Sequence, residues 1–189
     1  QTLADAASAY TSEFQTRIGS RSVGVPLLVH RRCSEPMFGV SNAIAYSGLM
    51  VSAKSPKPAA IKEVLGASCW INVEGSGEDK WCREEGLKVL SMLQKLARVP
   101  VEPDLYIITP FVIVADRLRQ AVRESRLLTG WVKEDDWRWT NERIGTVHTV
   151  QGRESEAVIF VLGAPYPSQT GARGWAGGRR RSRRDWDQR

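Results

Sequence analysis

The apolar positions of the chain follow two rhythms. Leu3, Ala6, Ala7, Tyr10, Phe14 and Ile18 recur at helical spacing, and Gly19 stands where a helix C-cap would, so an amphipathic helix is expected here. Val23 to Val29 is a short apolar run instead. It reads as a buried strand that Pro26 pushes toward an edge or an early position, and it leads directly into His30-Arg31-Arg32-Cys33. Residues 36–46 look helical despite Gly39, and Lys54 to Pro58 forms a Ser/Pro/Lys loop. Ser68 to Val73 reads as a short strand and Glu74 to Asp79 as a surface turn. Trp81 to Val99 places Leu87, Leu90, Leu93, Leu96 and Ala97 on one helical face. Leu105 to Ile108 is a buried strand ending in Thr109-Pro110-Phe111, and Val114 to Arg126 is another helix. Ile144 to Val150 and Ala157 to Leu162 are two further strands, separated by the polar stretch "QGRESE".

Strands alternating with helices in this way predict an α/β domain, with a mainly parallel sheet flanked by helices. Ligands of such sheets meet the loops at the C-terminal ends of the strands. The loops concerned are "HRRC", "TPF" and "QGRE", which are therefore expected to share one edge of the sheet.

Composition adds little to this picture, whereas the distribution of charge changes it. The 189 residues are 42% hydrophobic and 25% charged, as in an ordinary soluble globular protein with one sizeable core. The formal net charge is +6, a value that points toward nucleic acid. Seven arginines, however, stand at 173, 179, 180, 181, 183, 184 and 189 against only Asp185 and Asp187, which leaves 20 basic and 19 acidic side chains in residues 1–172. The body of the chain is nearly neutral and the basic character belongs to its end.

Cys33, Cys69 and Cys82 are odd in number and form no C-x-x-C pair, and His30 and His148 are far apart, so no disulfide framework or metal site is expected. No apolar run approaches the roughly 20 residues of a membrane span, so no membrane partner and a cytoplasmic location are expected. The chain begins with Gln1 rather than Met, as a processed or excised piece of a longer protein would.

On spacing alone, Gln151-Gly152-Arg153-Glu154 reads first as a solvated turn, with Gly152 selected for its backbone angles. Arg31-Arg32 is equally a solvated pair, and Thr109-Pro110-Phe111 a turn that returns Phe111 to the core. Three phrases in order, "PLLVHRRCSEPMFGVSNAIAY", "DLYIITPF" and "RIGTVHTVQGRESEAVIFVLG", nevertheless resemble the second motor domain of superfamily 1 helicases. The branch is that of the nonsense-decay and Okazaki-processing helicases, and the resemblance runs from about residue 20 to about residue 176.

The resemblance implies a RecA-like domain of the P-loop NTPase type. In these motors two such domains close over ATP and ratchet along a single strand of DNA or RNA. Arg32 matches the family's catalytic arginine, whose guanidinium would face the γ-phosphate, although the adjacent Arg31 allows the match to slip by one. Gln151, Gly152 and Glu154 match the nucleotide contacts, the glycine by close backbone approach and the carboxylate by accepting from a ribose hydroxyl. Thr146, His148 and Thr149 match the nucleic-acid grip on the strand side of the same motif, and Thr109 resembles a further phosphate contact. Such contacts are to the backbone and imply sequence-tolerant, salt-sensitive binding.

Two departures qualify that expectation. The chain holds no G-x-x-x-x-G-K-[ST] loop, so the first motor domain must come from elsewhere, in the same or another chain. ATP and Mg2+ are therefore expected only in its company, and no cofactor for this chain alone. The family also continues into a segment with an arginine finger, whose loss typically removes on the order of 10³-fold of rate. Here the chain reads as residues 1–178 of a partial motor domain, incomplete at the C-terminus, and residues 179–189 as a basic, disordered tail. Two alternatives remain beside the inactive motor half: a non-catalytic nucleic-acid-binding or adaptor module gripping through its tail, and a degenerate gene product. The abrupt change after Gly178 predicts a shifted frame or a truncated gene. Sequencing the coding DNA should then show an "N-x-A-x-[ST]-R-A"-like phrase in one of the other two frames, and its absence from both would sink the idea.

Overall fold

The computed structural model describes residues 16–18, 21–23, 28–46, 48–53, 60–100, 102–150 and 152–177. The chain divides into two units, Gln1–Pro58 and Ala59–Arg189.

In the first unit, β1 (Thr16–Ile18) pairs antiparallel with β2 (Arg21–Val23), and β3 (Val29–His30) pairs parallel with β4 (Val51–Ser52). Between β3 and β4 lies α1 (Met37–Ala45), which buries Phe38. Asn42 ties α1 to the returning chain: its Oδ1 accepts from the Met50 N–H at 2.9 Å and its Nδ2 donates to the Met50 carbonyl at 3.0 Å. The N-terminal helix expected from Leu3 to Ile18 is corrected at its end, because Thr16–Ile18 is a strand. β-Branched Thr16 and Ile18 next to a Gly-Ser pair favour a hairpin over one more helical turn. Residues 3–15, the middle of the expected strand at 24–27 and the Lys54–Pro58 loop lie outside the described residues.

The second unit is built on three parallel strands. β7 (Leu105–Thr109) is central, with β8 (Ile144–Thr146) on one side and β9 (Ala157–Phe160) on the other; the short hairpin β5 (Gly77–Glu78) and β6 (Trp81–Cys82) precedes them. Its helices are α2 (Ala60–Leu65), α3 (Arg83–Leu96), α4 (Val112–Ser125), α5 (Asp136–Arg143) and α6 (Thr170–Gly177). Leu105, Ile107, Leu93, Leu96, Val114, Leu118, Val122, Trp139 and Ile144 form one buried cluster between the sheet and α3, α4 and α5. The class is mixed α/β, as the alternation of periods predicts, but among the described residues the strands form two small parallel and two small antiparallel sheets rather than one mainly parallel sheet.

Several boundaries differ from the sequence reading. Trp81 and Cys82 belong to the hairpin, and α3 begins only at Arg83. The buried face of α3 is Gly86, Val89, Leu93 and Leu96, whereas Leu87 is 53% exposed. The cause is the Trp81 indole, which lies over Gly86 so closely that a β-carbon there would overlap it. Ser68 to Val73 is coil rather than strand, with Trp70 73% exposed. Its strand propensity reflects fit to a pleated, half-buried surface, and no such neighbour is paired with it among the described residues. β8 stops at Thr146, four residues short of Val150, where the chain turns. α2 and α5 were not foreseen. α5 carries a readable signal, since the Asp135 carboxylate accepts from the Arg138 N–H at 2.9 Å as an N-cap.

The face assignment of α3 predicts unequal costs at two leucines. Leu93→Ala, at a fully buried position, should lose about 2–5 kcal/mol in urea unfolding, and Leu87→Ala less than about 0.5 kcal/mol. Equal losses would restore the face read from the sequence.

Candidate functional site

The C-terminal edge of the β8–β7–β9 sheet gathers the polar residues of interest. In β7 every residue but Ile108 is buried, and the strand ends on fully buried Thr109. Pro110 cannot continue the ladder, and after Phe111 the chain enters α4. The Thr109 hydroxyl accepts from the Phe111 N–H at 3.4 Å, and the Lys80 ammonium lies 5.5 Å from the centre of the Phe111 ring.

Thr146 stands directly across from Thr109 in the parallel register. Beyond it the chain closes on the Thr146 carbonyl, which accepts from the Thr149 N–H at 3.0 Å, the Thr149 hydroxyl at 2.8 Å and the Val150 N–H at 3.4 Å. His148 is exposed at the tip of this turn. Thr109, Thr146, His148 and Thr149 are thus brought to one edge by two neighbouring strands. Thr146 and Thr149 are part of a defined turn rather than of a continuing strand.

Two residues that the sequence reading passed over hold this turn. Arg119 of α4 donates from Nε to the Ile144 carbonyl at 3.0 Å and from Nη1 to Asp116 at 2.6 Å. Gly145 lies under Thr149, and a β-carbon there would overlap the Thr149 hydroxyl. The signal for Arg119 was its place four residues after buried Ala115 and three before buried Val122, at the border of the apolar face.

The "QGRE" stretch is placed differently from expectation. Gln151 lies outside the described residues. Gly152 adopts φ 88°, in the left-handed region that favours glycine, with open space where a side chain would stand. Its conformation, and no close neighbour among the described residues, calls for glycine. From there the chain turns back: Arg153 donates to the Glu142 carbonyl at 3.2 Å, beside the start of β8. The Glu156 N–H then donates to both the carbonyl and the carboxylate of Asp104, at 3.1 Å each, just before β7. Arg153 and Glu156 therefore bond at the N-terminal edge, because a segment joining β8 to a parallel β9 must return there. Exposed Glu154 lies on this return path. The expectation that "HRRC", "TPF" and "QGRE" share one sheet edge holds for Thr109 alone: Arg153 onward bonds at the opposite edge, and "HRRC" follows β3, which pairs with β4 in a separate sheet.

Arg32 is exposed in the first unit, immediately after β3, where the sequence reading located it relative to the strand. Among the described residues no group of three His, Cys, Asp or Glu side chains is arranged to hold a metal ion, and no helix is long and apolar enough to cross a membrane.

Comparison of the chain with protein-family models, curated proteins and solved structures finds no match.

The contact between Gly145 and Thr149 can be tested by a double-mutant cycle. Gly145→Ala should displace the Thr149 hydroxyl and lower stability by roughly 1–3 kcal/mol, as overpacking does. In a Thr149→Ala background most of that cost should vanish from the urea midpoint. An undiminished cost would place its cause elsewhere.

Proposed function

We propose that this chain is the second, RecA-like half of an ATP-dependent superfamily 1 DNA or RNA helicase motor, gripping a single strand and lining a nucleotide cleft without hydrolysing ATP alone. The observation that carries the reading is the juxtaposition of Thr109 and Thr146 at the C-terminal edge of a parallel sheet, with His148 and Thr149 in the turn that follows. The Thr146 hydroxyl on a rigid sheet edge, with exposed His148 beside it, can bind phosphate oxygens of a backbone while leaving the bases unread. Thr109 would contribute through the shape of the turn after it, since its own side chain is buried.

For the nucleotide, each unit offers residues of its own. Gly152 has open space beside its backbone, Glu154 is an exposed carboxylate and Arg32 an exposed cation. Each by itself suits a phosphate or a ribose held chiefly by another domain, since no phosphate-cradling loop occurs in the sequence. Mg2+ and the attacking water would belong to that first motor domain. This chain's role in the cleft would be the positive charge of Arg32 near the transferred phosphoryl group.

A second reading is favoured by the crowding of positive charge at the end of the chain: an adaptor that binds nucleic acid through its arginine-rich terminus. Fluorescence anisotropy of a labelled single strand with the full chain and with residues 1–178 separates the two. The motor reading expects both to bind, with Thr146→Ala weakening each. The salt slope should be shallower without the tail, by roughly 0.7 for each phosphate the tail neutralises. Binding by the full chain alone would favour the adaptor, and binding by neither, or ATP hydrolysis by the purified chain, would overturn the proposal.

A further inference from the structure

The three cysteines occupy three different environments. Cys82 is fully buried, and its thiol donates to a Glu84 carboxylate oxygen at 3.4 Å. Burial above all, with the carboxylates of Glu84 and Glu85 beside it, pushes that thiol's pKa up against the backbone hydrogen bonds of the same two residues. Cys82 is thereby held as an inert, protonated thiol. Cys69 is exposed and serves as an internal reference. Cys33 is half-buried in the loop after β3, and its sulfur lies 3.0 Å from His30 Nε2.

The hydrogen bonding around His30 gives this pair a direction. The backbone N–H of Cys33 also donates to His30 Nε2, at 3.0 Å. A nitrogen that accepts from an amide presents its lone pair, so the neutral ring carries its hydrogen on Nδ1. The hydrogen between sulfur and Nε2 is then the thiol's own, and the imidazole is positioned to take it. The backbone of His30 is fixed in the ladder, and its ring rests against one neighbour. His30 lies opposite Ser52 in the β3–β4 ladder, its carbonyl accepts from the Ala53 N–H at 2.9 Å, and its ring sits 5.3 Å from that of buried Phe38. The charged neighbours along the loop are Arg31 and Arg32, both exposed, and Glu35, whose carboxylate accepts from the Gly39 N–H at 3.2 Å.

We propose that Cys33 and His30 form a nucleophile–base pair, making Cys33 a site of thiol–disulfide exchange with small disulfides that carry carboxylates. A thiol within hydrogen-bond reach of an oriented base is the arrangement that activates cysteine nucleophiles. The proton passes from Cys33 Sγ to His30 Nε2, and the thiolate attacks one sulfur of R–S–S–R. The Cys33 Sγ–S bond forms as the reagent's S–S bond breaks, and the departing RS⁻ takes the proton from the imidazolium to leave as RSH. The Cys33 sulfur is oxidised by as much as the leaving sulfur is reduced, and no further reagent is consumed. Arg31 and Arg32 precede Cys33 in the same loop, and their positive charge favours an anionic R group. Only one consequence rests on the motor reading: an anionic adduct beside Arg32 would compete with a nucleotide phosphate for that guanidinium.

The full chain, treated at neutral pH with glutathione disulfide and separately with neutral 2,2′-dithiodipyridine, tests the proposal, with each cysteine followed on its own tryptic peptide. Cys33 should react about tenfold faster than Cys69 with both reagents, with a larger margin for glutathione disulfide, and Cys82 should stay unmodified. His30→Phe keeps a ring against Phe38 and removes the base, and should erase the advantage with dithiodipyridine. Cys33 reacting no faster than Cys69 with the neutral reagent would overturn the proposal even if the variant fails to fold. So would a folded His30→Phe variant that keeps the full advantage. These rates do not depend on nucleic-acid or nucleotide binding, so failure of the motor reading leaves their outcome distinguishable.

Discussion

The second unit depends on β7 being paired along both edges at once. Its residues bond to β8 on one side and to β9 on the other, with Leu105, Ile107 and Thr109 fully buried. A parallel strand enclosed in this way has no water to satisfy its backbone, so each neighbour must begin at a set level, β9 opposite Leu105 and β8 opposite Ile107. Asp104 sets those levels. Its carbonyl accepts from Glu156 and Ala157 at the start of β9, and its carboxylate meets Arg143 at 3.0 Å just before β8. An exposed ion pair of this sort adds little stability, so its contribution is to register rather than to energy. The edge that carries Thr109 and Thr146 is aligned from the opposite end of the sheet.

The sequence made the strongly periodic parts of this arrangement legible. β7, the helix after it and the parallel character of the sheet follow from runs of apolar residues whose period matches their burial. What failed were positions where tertiary contact overrules the local pattern. The leucines of α3 suggested a face centred near Leu90, yet the Trp81 ring against Gly86 turns the helix so that Leu87 faces water. Ser68 to Val73 has strand residues and stays unpaired, because alternation describes what a segment can do and not whether an edge is offered to it. α5, rich in Asp, Trp and Arg, shows no clean apolar stripe, and its capping aspartate was the one local sign.

The candidate site was legible in composition and less so in path. Thr109, Thr146, His148 and Thr149 lie at the sheet edge that strand order alone would select. The stretch after Val150 could not be followed, because a loop is read from sequence as if it stayed where the preceding strand ends. Here it belongs to a parallel crossover and must travel the length of the sheet. Its positive φ at Gly152 fits a change of direction as well as it fits a ligand, so the residue type could not separate the two. Arg119 and Gly145 were missed for another reason: their roles are visible only once α4 is laid beside β8.

The return path from Val147 to Glu156 also sets what lengths of chain this edge tolerates. At one end it is wound onto the Thr146 carbonyl, and at the other its terminal N–H is fixed to Asp104. Between these ends the Arg153 N–H is tied to the Val150 carbonyl at 3.1 Å, and the coil after Thr146 is the most wound part of the described path. A deleted residue would be drawn from that coil, pulling His148 and Thr149 down off the edge, whereas an inserted one would only slacken the middle. A deletion is therefore expected to cost the turn at Thr146 before it costs the pairing at Asp104.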